Sequence, residues 1–169
     1  VSPPPELSLP GVTVAAGGEN NTVASGGTLS LDPGSYGKLR VWEGATLNLR
    51  SGAYAFTVVK IGPNAQVLLD LSQGQLLIDV RDELALKEGT QMEIVSITGT
   101  AADIVFRVAR GEVDLRDGGY FLGTFLAPDS VIELHEDASI IGALLGWEVD
   151  VEQRTTVIGM PAVELVAQP

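Results

Sequence analysis

The sequence predicts an all-β protein, a single right-handed β-solenoid of about seven short coils. Three observations predict it. One stretch repeats after 18 residues, apolar and polar residues alternate over short runs, and turn-forming residues recur between the runs. At that offset Thr28, Leu29, Leu31, Gly34, Tyr36, Val41 and Gly44 meet identical residues, Thr46, Leu47, Leu49, Gly52, Tyr54, Val59 and Gly62. A near-constant period is what a solenoid requires, because each coil must return above its own start. The right hand follows from the handedness of parallel crossovers. Coils about 4.8 Å apart give a rod of about 30–35 Å.

The elements follow in order. Residues 1–26 read as an extended N-terminal arm and cap. They open with "VSPPPELSLPG", whose consecutive prolines favour extended chain, and continue into the Gly-rich "AAGGENNTVASGG". Residues 27–159 read as the solenoid. Leu29/Leu31, Leu39/Val41 and Leu47/Leu49 are inward positions of half-buried strands. "DPGS", "EGA", "RSGA", "GPNA", "SQG", "KEGT", "RDGG" and "APDS" supply the corners. "RDELALKEG" alternates and is stopped by Gly89, so it reads as strand rather than helix. Near the end Ile132 and Leu134 precede Val149 and Val151 by 17, and Ile140 precedes Ile158 by 18. Between these stretches the alternation persists but the register blurs. Residues 160–169 form an extended C-terminal tail in this reading.

Composition narrows the function. The chain has 169 residues, one domain's worth, with 45% hydrophobic but only 5% aromatic residues and 20 glycines. The net charge is −12 and the 10 Lys and Arg are scattered, which argues against nucleic-acid binding and against attachment to an anionic membrane. The absence of Cys excludes disulfides, thiolate metal sites and Cys nucleophiles. No apolar run is long enough to insert in a membrane. A start at Val1 is expected of a processed product or an excised domain.

"GSYGKLRVWEGATLNLRSGAYAFTVVKIGPNAQVLLDL" and "GTFLAPDSVIELHEDASIIGALLGWEVDVEQRTTVIG" together resemble a bacterial secreted β-solenoid domain. Domains of that kind occur in PilX-like type IV pilus assembly proteins and in anchored surface exoproteins. The recurring phrases are G-x-Y…L-x-V…G-A-x-L-x-L and G-T-x-x-A-P…G-A-L, spanning about Gly27 to Gly159. The resemblance implies an extracellular or cell-surface location in a bacterium, a structural or adhesive role, and no catalytic residues to transfer.

Few residues invite chemistry. Tyr36 and Tyr54 sit at matching repeat positions and are expected to stack. Trp42 falls out of phase with Leu39 and Val41, so it faces outward beside Arg40; Trp147 stands near the last coil. These three are candidate contact residues for protein or glycan. In "ELHEDAS" an extended chain puts Glu133, His135 and Asp137 on one face, a weak metal-ligand set suited at most to a loosely held cation such as calcium. Glu148, Asp150 and Glu152 make a second outward acidic row. A solvated charged face is the commoner meaning of such rows, so no cofactor is assigned. His135 is the only His and no Gly-x-Ser-x-Gly elbow accompanies it, so no catalytic residue is assigned either. Asp70, Asp79 and Asp82 are expected at coil corners.

Open strand edges at solenoid ends must be capped or used. "PELSLPGVTV", with Leu7, Leu9, Val12 and Val14, and "PAVELVAQP", with Val163 and Leu165, alternate like strands. Either arm caps its own rod or adds a strand to another molecule. The expectation is a non-enzymatic surface module that assembles head to tail with itself or joins other surface or pilus proteins. The alternatives are a carbohydrate-binding or carbohydrate-active β-helix and a bactofilin-like cytoplasmic polymer.

Overall fold

The computed structural model describes residues 9–160. It is a parallel β-solenoid. Its strands are β1 Asn21–Val23, β2 Thr28–Leu31, β3 Gly34–Ser35, β4 Lys38–Val41, β5 Thr46–Arg50, β6 Gly52–Ile61 and β7 Gln66–Asp70. Then come β8 Leu76–Leu86, β9 Gln91–Ile94, β10 Ile104–Val108, β11 Glu112–Leu115, β12 Tyr120–Leu134, β13 Ser139–Val151 and β14 Thr156–Gly159. A single 3-10 turn, Ala101–Asp103, carries a capping box between Thr100 and Asp103.

The strands form three parallel ladders, so the rod has three faces. Face one stacks β1, β4, the ends of β6 and β8, β11 and the ends of β12 and β13. Face two stacks β2, β5, β7, β9, the starts of β12 and β13, and β14. Face three stacks β3, the first half of β6 and β8, β10 and the middles of β12 and β13. Alternation decides which side chains turn inward. Leu39, Val59, Leu84, Val113 and Ile132 fill one inner column of face one, and all are buried.

The coils differ in length. In the column Val23, Val41, Ile61, Leu86, Leu115, Leu134, Val151 the successive spacings are 18, 20, 25, 29, 19 and 17 residues. The constant period of 18 therefore holds only at the start. Most of the extra length sits between faces two and three, as residues 71–75 and 95–103, with a smaller part between faces three and one. These two loops stack on each other: Ser96 Oγ accepts the Leu71 N–H at 2.9 Å, and Leu71 is buried under Gly99.

The pairing corrects four expectations. Thr28–Leu31 does lie on Thr46–Leu49, but Val41 lies on Ile61 and Gly34 on Tyr54, two residues beyond the identity match. Tyr36 accordingly stacks on Phe56, with centroids 5.5 Å apart, and not on Tyr54. The first coil also begins earlier than expected, since Asn21–Val23 already pairs with Leu39–Val41 inside the segment read as arm. Asp79 is no corner residue. It points outward from β8, where Arg107 grips it bidentately at 2.7 Å on each oxygen.

Tyr54 ties the first two coils together. Its buried hydroxyl lies 2.9 Å from the Leu31 carbonyl and 3.1 Å from the Arg50 carbonyl, and it accepts the Arg50 N–H. Burial pushes its ionisation above the ordinary tyrosine range. The unfolded chain then ionises first as pH climbs. The contribution is full below about pH 10 and is lost above it. The urea midpoint is expected to fall between about pH 9.5 and 11, with a shallower fall in Tyr54→Phe, which itself starts lower by about 1 kcal/mol from lost hydrogen bonds.

Candidate functional site

The most regular element is the corner between faces one and two. Seven times, a face-one strand ends in a four-residue turn: ASGG, WEGA, GPNA, KEGT, RDGG, HEDA and EQRT. The third residue always takes the left-handed conformation, Gly26, Gly44, Asn64, Gly89, Gly118, Asp137 and Arg154 in turn. Glycine adopts it without steric cost and Asn or Asp tolerates it, which explains most of the choices.

Each turn is bonded to the next by three backbone hydrogen bonds of fixed pattern. Between the first two turns these are Trp42 N–H to Val23 O, Gly26 N–H to Glu43 O, and Thr46 N–H to Gly27 O. The pattern repeats at every junction up to Glu152 N–H to Leu134 O, Asp137 N–H to Gln153 O, and Thr156 N–H to Ala138 O. The first residues of the turns form an outward column, Trp42, Gly62, Lys87, Arg116, His135 and Glu152.

His135 is therefore a turn residue, and "ELHEDAS" is not extended throughout. This removes Asp137 from the expected set of Glu133, His135 and Asp137, while Glu133 and His135 stay together. Asp137 turns away to Arg154, whose guanidinium donates to it at 2.7 and 2.9 Å and to Glu136 at 2.8 Å. The hydrogen bond from Arg154 holds the Asp137 carboxyl below its ordinary range. His135 instead gathers carboxylates from three successive coils. Its Nδ1 is 3.0 Å from Glu152 Oε1, while its Nε2 is 3.0 Å from Asp114 Oδ1 and 3.5 Å from Glu133 Oε2. Nε2 and Asp114 Oδ1 are both buried and approach without the alignment of a hydrogen bond.

Asp114, Glu133 and His135 could offer three ligand atoms to a cation, as could Asp117, His135 and Glu152. Asp114, however, is already met by Arg116 Nε at 2.8 Å and by Lys87 Nζ at 3.3 Å. A cation added there would face two resident positive charges. The cluster is best described as an ion-pair network stapling the last coils, with Asp114 its buried centre.

The second feature is the C-terminal end. Val149, Val151 and Val157 occupy inward ladder positions, as their partners Ile132, Leu134 and Ile140 do, yet they are 38, 46 and 49% exposed. No described residue covers them. Trp147, at the adjoining corner, is 80% exposed. The N-terminal end differs: Val23 and Leu31 are buried, and the half-buried Leu9, Val12 and Val14 belong to the arm leading to it. Leu7, Val163 and Leu165 lie outside the described residues.

Trp42 does face outward, with Arg40 Cζ 5.8 Å from its ring centroid. It belongs to the second coil and Trp147 to the last, at different corners, so the two rings do not share one platform. The sequence does not single out the exposed Val95 and Ile97 on the long loop, nor the exposure of Val149, Val151 and Val157 at the C-terminal end. Among the described residues no helix is long and apolar enough to cross a membrane. Comparison with protein-family models, curated proteins and solved structures found no match.

Proposed function

We propose that this chain is a non-enzymatic structural module of the bacterial cell surface that associates with itself end to end. The observation that carries the reading is the bare end, where Val149, Val151 and Val157 stand exposed in positions that the second to sixth coils bury. Apolar surface of that kind is a contact surface, and unpaired parallel edges add a template for further strands. His135, the one His of the chain, faces carboxylates, which supports a structural part for it rather than an acid–base one. The resemblance to secreted solenoid domains supports the compartment and the adhesive or pilus-associated setting. A bactofilin-like cytoplasmic polymer would share the assembly and differ in where it occurs.

Glycan contact is a second reading, favoured by the half-exposed Trp42 ring beside Arg40. Electron microscopy and sedimentation of the purified protein over a wide concentration range test the first. Rods longer than one molecule, growing with concentration, are expected. A monomer at every concentration overturns it, and glycan-array binding abolished by Trp42→Ala would then favour the second.

A further inference from the structure

We propose that the partner at the bare end is a second copy of this chain, docked head to tail so that its first corner turn continues the turn ladder in register. This rests on the end-to-end reading above and specifies the junction.

Each internal junction uses the same three backbone bonds, and the two ends of the molecule carry the complementary halves of one more. At the C-terminal end the last turn, Glu152–Thr155, leaves the Val151 and Thr155 carbonyls and the Arg154 N–H without partners among the described residues. At the N-terminal end the first turn, Ala24–Gly27, likewise leaves the Ala24 and Thr28 N–H groups and the Ser25 carbonyl. Laid turn on turn, Ala24 N–H meets Val151 O, Arg154 N–H meets Ser25 O, and Thr28 N–H meets Thr155 O. These are the bonds that join Trp42 to Val23, Gly26 to Glu43 and Thr46 to Gly27. The flanking strands fit the same register. Both turns are four residues long, so Val23 on Val151 brings Thr28 onto Thr156. β1 then covers Val149 and Val151 while β2 covers Val157, and the arm of residues 9–20, which lies against the first coil where Val23 and Leu31 are already buried, moves aside for it.

Charge favours this polarity. The outward columns of face one carry Lys38, Arg40 and Lys60 near the N-terminal end, Arg40 following Thr22, and end with Glu148 and Asp150, Glu152 following in the turn. Head-to-tail docking sets Asp150 two coil spacings, about 9.6 Å, from Arg40 of the next copy, within the screening length of about 8–10 Å. Joining two C-terminal ends would instead press acid rows together. One coil end is a small face, so each junction is weak and assembly depends on concentration.

In this register Thr22 lies directly against Asp150, since Thr22 pairs with Arg40 and Asp150 with Glu133 in one outward column. The chain has no Cys, so Thr22→Cys and Asp150→Cys each carry a single thiol. The two variants are mixed under assembling conditions and mildly oxidised. A covalent dimer at least tenfold above that from Thr22→Cys with Glu133→Cys is expected, because position 133 lies a coil further off, beyond the roughly 7 Å disulfide limit. Val157→Lys, at an exposed site, is expected to raise the concentration for assembly more than tenfold. Assembly without preference for the 22–150 pair overturns the register while the end-to-end reading stands. Absence of any assembly overturns both.

Discussion

Gly142→Ala is expected to destabilise the chain by about 3 kcal/mol or more, since a strained backbone conformation and a steric overlap act together. Gly142 has φ +151°, which side-chain-bearing residues rarely adopt, and a Cβ there would collide with the Gly123 carbonyl in the coil below. Gly123 and Gly142 pair in register where β12 and β13 bend from face two to face three without a break. Backbone meets backbone at that point, so no side chain can move aside. Gly159 is the next residue in the column, but a Cβ there meets nothing and its φ is not positive. Gly159→Ala is therefore expected to stay within about 0.5 kcal/mol of the parent, as surface changes do. Urea denaturation of both variants decides it, and equal stability of the two would refute the account. Hydrogen exchange should place the loss in β13 and β14, because a solenoid coil contacts only its neighbours.

The contrast between those glycines bears on what could be read from the sequence. Inward and outward positions of the first coils are legible in the sequence, and for a definite reason. Between Val41 and Ile61 the chain departs from the 18-residue offset by two residues, and strands repeat every two, so a slip of two keeps each side chain on its own face. Leu39, Val41, Val59 and Ile61 are inward whichever register is used. Contacts between coils have no such protection, which is why Tyr36 was paired with Tyr54 instead of Phe56. The turns show a second limit. Five of them announce themselves by Gly or Pro-Asn, in ASGG, WEGA, GPNA, KEGT and RDGG. HEDA and EQRT place Asp137 and Arg154 in the same left-handed site, and without glycine the turn chemistry is silent. Reading HEDA as strand put Asp137 with His135. Beside Glu133, the companions of His135 come from other coils, Glu152 seventeen residues later and Asp114 across a turn whose register the sequence does not align. The coil that precedes Leu115 is the longest, and that is where the register was lost.

Phe125→Ala is expected to cost about 3–5 kcal/mol, the range for large core side chains. The Phe125 ring is fully buried and lies on Phe106 with centroids 4.6 Å apart and planes within 1°. Ile78 lies beneath in the same column and Leu144 above, so truncation empties one layer of a continuous stack. In a globular core the loss would lower one cooperative transition. A solenoid transmits stability only from coil to coil, and Phe125 sits where the coils with buried ladders meet the exposed end at Val149 and Val151. Weakening that layer should uncouple the last coils, which then unfold first. A two-step urea transition is expected, with exchange protection lost in β13 and β14 before β5 to β8. Phe125→Leu, which keeps most of the volume, should cost under about 1.5 kcal/mol and preserve a single step. One sharp transition in both variants would mean that the rod folds as a single cooperative unit, and that neighbour-only coupling does not describe it.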